Sequence, residues 1–217
     1  MHYPHKNLFF YMLAWLSPFA IIYGTLFVMG QAVMLYGAGQ HSMFVSHGAV
    51  LIYLLCVFFA YRRWVAPLPV TGQLRNVGAL WLVIAMAAVY VAEYLWGKAA
   101  GQPAEAFVTD LYTGKTAAGV LSTTLTIFIL APLNEETLFR GIMLNVFLSK
   151  YRWTGWLGAV LISLLFAAVH TQYQNVSTLA EMFLVGFITS AARIRSGGLL
   201  LPVLLHMEAT ALGLLLG

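Results

Sequence analysis

The chain has 217 residues, of which 61% are hydrophobic and only 8% charged. Its apolar runs are longer than a soluble domain of this size carries, so a water-soluble protein is excluded and one polytopic, all-α integral membrane domain is expected. The net charge of +4 does not point to nucleic acid, because the basic residues cluster in short connections between apolar runs, as orientation signals do.

Taken in chain order, hydropathy places spans at about 8–34, 43–61, 76–96, 117–149, 154–170, 177–192 and 198–216. The first is too long and too aromatic for a signal peptide and lacks a small-residue cleavage site, so it reads as a permanent span. Its Phe9, Phe10, Tyr11 and Trp15 read as an interfacial belt, and His2, His5, His41 and His47 as interfacial residues at span ends or in loops. Cys56, the lone cysteine, excludes an internal disulfide and a cysteine metal cluster; inside an apolar run it is expected to be a small buried hydrophobe. The connection 97–116 is the long polar one, with Pro103, Glu105, Asp110 and Lys115.

The fourth span is about ten residues too long for one straight crossing. Pro132 lies inside it, so a kink or break is expected just before the carboxylates, with Asn134 capping the second half. Arg62, Arg63, Arg75, Lys150, Arg152, Arg193 and Arg195 mark cytoplasmic connections if the N-terminus, with Lys6, is inside. Seven crossings satisfy that rule throughout and put the C-terminus outside; splitting the fourth segment to make eight would violate it.

The informative run is Asn134-Glu135-Glu136-Thr137-Leu138-Phe139-Arg140-Gly141, which puts three ionisable side chains at bilayer depth, where charge is expensive and marks function. The later spans add His170, Glu181, His206, Glu208 and Thr210, whereas the first three hold almost nothing comparable. Helical periodicity puts Glu136 and Arg140 on one face at i, i+4, where pairing lowers the cost of both charges. Glu135 then points about 100° away and is the carboxylate left free to act as a general base. His206 and Thr210 share a face at i, i+4, and Glu208 points nearly opposite. Glu181 is expected either to line a groove or to hydrogen-bond a neighbouring helix, and Glu208 to stand beside the site or groove. A carboxylate with two imidazoles can supply an activated water, a proton carrier and an oxyanion donor, the three needs of peptide hydrolysis.

Three segments, Ala131-Pro132-Leu133-Asn134-Glu135-Glu136-Thr137-Leu138-Phe139-Arg140-Gly141, Phe166-Ala167-Ala168-Val169-His170 and Leu201-Pro202-Val203-Leu204-Leu205-His206, resemble in order and spacing the three motifs of the CAAX prenyl endopeptidase and bacteriocin-processing family of intramembrane proteases. The resemblance covers residues 117–216, expected to be the catalytic core of a single domain 1–217; residues 1–116 hold variable N-terminal spans that match only in being hydrophobic. It implies a glutamate-type mechanism: Glu135 and His170 activate water, His206 and the residue four positions on stabilise the oxyanion, and Glu136 and Arg140 hold the broken helix in shape. At that last position the family usually carries Asn or Asp, and this chain has Thr210, a shorter donor with a more restricted rotamer.

The expected partners are the lipid bilayer and a hydrophobic peptide or the C-terminal tail of a protein, with no nucleic acid. The compact chain suggests the cytoplasmic membrane of a bacterium. No cofactor is expected; the alternative within enzymology is zinc bound by Glu135, His170 and His206, without support from an HExxH pattern. Outside enzymology, the same groove could serve a non-hydrolytic peptide-binding or immunity protein, and a proton-coupled transporter is disfavoured by the lack of inverted repeats. Oligomeric state is not encoded legibly.

Overall fold

The computed structural model describes residues 8–216, with side chains from residue 15 onward; His2, His5 and Lys6, and the side chains of Phe9, Phe10 and Tyr11, lie outside the described residues. Eight helices follow one another: α1 (Leu8–Tyr36), α2 (Ser42–Trp64), α3 (Ala79–Ala100), the short α4 (Ala106–Thr109), α5 (Ala117–Phe147), α6 (Arg152–Val169), α7 (Val176–Ser196) and α8 (Leu200–Leu216). Among the described residues there is no strand, as a bilayer demands of a chain that cannot close a barrel. Among the described residues, six helices are long and apolar enough to cross a membrane, namely α1, α2, α3, α5, α6 and α7. The seventh predicted span, α8, is a shorter apolar helix of 17 residues.

Burial follows membrane logic rather than water logic. Leu26, Phe27, Leu55, Phe59, Leu80 and Trp81 point outward, while the interior holds Glu136, Arg140, Arg193 and Glu181 beside Leu54, Met86, Ile142 and Phe166. Cys56 is exposed and faces lipid rather than the interior, which corrects the buried placement: an apolar run in a spanning helix has two apolar faces, and periodicity alone does not separate them. Arg193 is buried at the end of α7 rather than exposed in a connection. It is 3% exposed and donates from Nε to Arg140 O at 3.3 Å and from Nη2 to Asn145 Oδ1 at 3.4 Å, tying α7 to α5.

The fourth segment is not broken at Pro132. It runs as one helical path of 31 residues, Ala117–Phe147, and absorbs the proline through two π-helical stretches, Thr126–Leu130 and Glu136–Met143. Pro132 stands at the start of the α-helical turn between them. There the missing N–H falls where the hydrogen-bonding pattern changes from five residues to four. Asn134 is therefore inside the helix, not a cap; its Nδ2 donates to the backbone carbonyl of His47 at 2.9 Å and pins α5 to α2. His47 lies near the start of α2 with its Nδ1 bonded to Met43 O at 3.0 Å, while His41, just before α2, bonds Ser122 Oγ at 2.8 Å.

Two polar fastenings set the ends of the bundle. On one face, Glu105 accepts from the backbone N–H of Gln174 at 3.1 Å and of Asn175 at 2.9 Å, placing a carboxylate at the N-terminus of α7 where the helix dipole favours it. On the opposite face, the turn between α7 and α8 lies against the 65–78 connection through Gln73 N to Ser196 O and Leu199 N to Val70 O, both 2.8 Å. Gly72, at φ +64°, and Gly198 touch backbone to backbone there, and a Cβ on either would overlap the other. Gly198→Ala should therefore lower stability by roughly 1–3 kcal/mol, whereas Gly30→Ala, with nothing within 4 Å of the added carbon, should stay within about 0.5 kcal/mol. Unfolding of both variants in detergent checks the contrast.

Candidate active site

The second π stretch starts at Glu136, so the two glutamates fall at the junction of two helical patterns and diverge. Glu136 turns fully inward. Its Oε1 accepts from Arg140 Nη1 at 3.1 Å and from His206 Nδ1 at 2.8 Å, with both Glu136 and Arg140 at 0% exposure. The guanidinium also donates from Nη2 to Gly186 O at 3.0 Å and lies over the Phe166 ring at 4.5 Å. Gly186 provides the room, since a Cβ there would stand 3.2 Å from Nη2.

Glu135 keeps 26% side-chain exposure. Its Oε2 is 3.8 Å from Nε2 of His170 and 3.8 Å from Nε2 of His206, and has no hydrogen-bond partner. One carboxylate oxygen thus faces two imidazoles. Their tautomers follow from what holds the other ring nitrogen. His170, just past the end of α6, has Nδ1 at 2.6 Å from Phe166 O, and a carbonyl only accepts, so Nδ1 carries the proton. His206 Nδ1 faces the Glu136 carboxylate and carries its proton for the same reason. Both Nε2 atoms are thereby turned toward Glu135. Phe166 wedges between the rings, tilted at 4.3 Å from His170 and edge-on at 6.0 Å from His206.

Of the residues read from the sequence, Glu135, Glu136, Arg140, His170 and His206 converge. Thr210 is committed elsewhere: its hydroxyl has one proton, which His206 O at 3.1 Å and Ile127 O at 3.4 Å share. The second contact has a cause in α5. Ala131 N–H bonds Thr126 O, five residues back, and the same pattern would give Ile127 O the N–H of residue 132, which is Pro132. Thr210 satisfies the carbonyl that the proline leaves over. Glu208 is partly buried and, among the described residues, has no hydrogen bond or ion pair in the structure.

Glu181 stands apart, in a cavity that also takes in Tyr173. Tyr173 stacks on His170 with centroids 6.1 Å apart and planes at 3°. Burial first, then the Glu181 and Glu135 carboxylates, push its phenol up to about 12, so it remains a neutral hydroxyl donor. Sequence reasoning passed over Tyr173, which has no signal beyond following His170 by three positions. It also passed over Glu93 in α3, although an ionisable residue within an apolar helix is itself the signal. Glu93 Oε1 accepts from Ser177 Oγ at 2.9 Å and Thr178 Oγ1 at 3.5 Å, so the third span is not devoid of polar function.

As for a metal, no group of three or more His, Cys, Asp or Glu side chains among the described residues is arranged to hold one. The two 3.8 Å separations exceed the roughly 3.3 Å edge between ligands of a tetrahedral zinc with bonds near 2.0 Å.

Fold and centre together define a polytopic membrane protein built around a buried carboxylate–imidazole cluster. A model of the Rce1-like family, described as type II CAAX prenyl endopeptidase Rce1-like, matches residues 117–212, the segment that carries the whole cluster. The chain is also similar to an uncharacterized 24.3 kDa protein of Escherichia coli, 68% identical over 207 residues and covering 95% of each chain. No solved structure matches it. The family suggests intramembrane CAAX protease activity.

Two predictions follow the contacts of Glu136 and Thr210. Arg140→Leu should cost roughly 3–5 kcal/mol by stranding a buried carboxylate. Adding Glu136→Gln should return only part of this, because Gly186 O stays without its donor; if thermal unfolding shows strict additivity, the pair is not coupled. Thr210→Val should cost about 1 kcal/mol through the orphaned Ile127 carbonyl, while Thr210→Asn, which keeps a donor, should unfold closer to the parent protein.

Proposed function

We propose that the chain is a glutamate-type intramembrane endopeptidase that cuts a hydrophobic peptide or the C-terminal tail of a protein at the bilayer. The observation that carries this is the single Glu135 oxygen set 3.8 Å from the Nε2 atoms of both His170 and His206. A water held between Glu135 and His170 gives one proton to the Glu135 carboxylate as its oxygen adds to the scissile carbonyl carbon. The carbonyl oxygen becomes an oxyanion beside His206. That ring can donate from Nε2 only when doubly protonated, since its Nδ1–H is held by Glu136, and Glu136 is the counter-ion of that form. Glu135 then passes its proton to the amide nitrogen as the C–N bond breaks, leaving an acid and an amine and regenerating the carboxylate. Thr210, occupied with Ile127 O and His206 O, supports the site by anchoring α8 to α5, and His206 is the main oxyanion donor.

The chemistry needs no resident cofactor. The zinc alternative retains one supporting feature, the anchoring of both imidazoles through Nδ1, which is how histidine ligands are often oriented. The cytoplasmic membrane of a bacterium is the proposed location.

Glu135→Gln, which removes a proton acceptor at constant shape, should reduce cleavage of a membrane peptide substrate by roughly 10²–10⁴-fold while the protein still inserts and purifies. A Gln variant as fast as the parent would sink the proposed base, whereas a parent protein that binds peptide without cleaving it would favour a non-hydrolytic peptide-binding protein. Dialysis against EDTA or phenanthroline should leave the rate unchanged; loss restored by zinc would transfer the water-activating role to a metal.

A further inference from the structure

The mechanism above leaves unused a cavity of about 190 Å³ beside the catalytic cluster. Tyr90, Glu93, Tyr94, Glu105, Tyr173 and Glu181 contribute to its wall. Glu181 is 6% exposed and its Oε1 has no hydrogen-bond partner, an arrangement that costs free energy until a donor arrives. The other two carboxylates are engaged: Glu93 with Ser177 and Thr178, Glu105 with the backbone at the start of α7. Opposing three carboxylates, the lining offers only Lys98 as a cation among the described residues, and its Nζ stands 5.4 Å from the centre of the Tyr94 ring. The cavity is thus net negative, aromatic-walled and short of a donor at its most buried oxygen. An alkylammonium or alkylguanidinium meets all three conditions, with N–H groups for Glu181, charge for Glu93 and Glu181, and methylenes and cation for the tyrosine faces.

Position ties this cavity to the reaction. Tyr173 belongs to its wall and also stacks on His170 at 6.1 Å, so the cavity begins one ring away from the catalytic imidazole. We infer that it is the subsite for a lysine or arginine side chain adjacent to the scissile bond, so that the substrate is a hydrophobic peptide carrying a basic residue at that place. The reference to a scissile bond rests on the protease reading; the recognition of a cation does not.

Binding is tested first, on the full chain in detergent, by thermal unfolding with n-pentylguanidinium, neutral n-hexanol and anionic hexanoate. The guanidinium should stabilise saturably and at roughly tenfold lower concentration than the alcohol, hexanoate should not stabilise, and the guanidinium preference should vanish in Glu181→Gln and shrink in Glu93→Gln. No preference for the cation in the parent protein overturns the inference by itself, whether or not the variants fold, and so does a preference that survives Glu181→Gln. Cleavage comes second, using quenched fluorescent hydrophobic peptides that differ by lysine, arginine, norleucine or glutamate at each position within three residues of the centre. At one position, lysine or arginine should raise kcat/KM roughly tenfold over norleucine, and that ratio should fall toward one in Glu181→Gln. Cation binding without cleavage of any peptide would remove the protease and leave the cavity; cleavage indifferent to the basic residue would remove the subsite and leave the protease.

Discussion

Everything around the centre hangs on one buried oxygen, Glu136 Oε1, which accepts from Arg140 and from His206 at once. A fully buried carboxylate is tolerable only when paired and hydrogen-bonded, and meeting that requirement fixes four helices. Arg140 must sit one turn along α5, its second nitrogen must reach Gly186 O on α7, its flat face must lie on Phe166 of α6, and His206 must bring α8 alongside. With Nδ1 of His206 so held, Nε2 is turned to Glu135. The imidazole that faces Glu135 is therefore oriented by a carboxylate buried behind it.

The π stretches of α5 solve a related problem. A regular α-helix through Pro132 would leave a carbonyl without an N–H partner within the membrane, where no bulk water can replace it. The five-residue pattern moves the deficit onto Ile127 O, within reach of the Thr210 hydroxyl on α8. The proline and the threonine thus act as two halves of one fastening between the helix that carries Glu135 and the helix that carries His206. Such bulges recur at functional sites, and the second begins at Glu136, where two adjacent glutamates become an inward, fully buried member and an outward, partly exposed one.

How much of this was legible in the sequence depended on range. The i, i+4 pairing of Glu136 with Arg140 and the divergence of Glu135 follow from helical periodicity, and the structure has both. The long fourth span was also visible, but a hydroxyl on Thr210 eighty-odd positions from the carbonyl of Ile127 cannot be matched by local reasoning, so Pro132 read as a kink or break and Asn134 as a cap. Glu136 was expected to serve the helix alone; its bond to His206 spans 70 positions and leaves no periodic trace. Arg193 looked like an orientation signal because its composition matches one, whereas its neighbours Asn145 and Arg140 make it a buried tie. Glu93 was overlooked although the cost of charge in a spanning helix applied to it as much as to Glu135.

Charge asymmetry across the bundle carries one further step. Arg62, Arg63, Arg75, Lys150, Arg152 and Arg195 belong to one end of the helices, and the 65–78 connection meets the α7–α8 turn there. Glu105, Tyr173 and the cavity rim belong to the other, between the ends of α3 and α6 and the start of α7. If the basic end faces the cytoplasm, as the bias of lysine and arginine toward inner loops favours, then His170 and the acidic cavity open toward the outer side. A cationic group on that side meets carboxylates, not the arginine-rich end that would repel it. The charge bias expected to orient the helices in the bilayer and the cavity's acidic lining thus lie at opposite ends of the bundle.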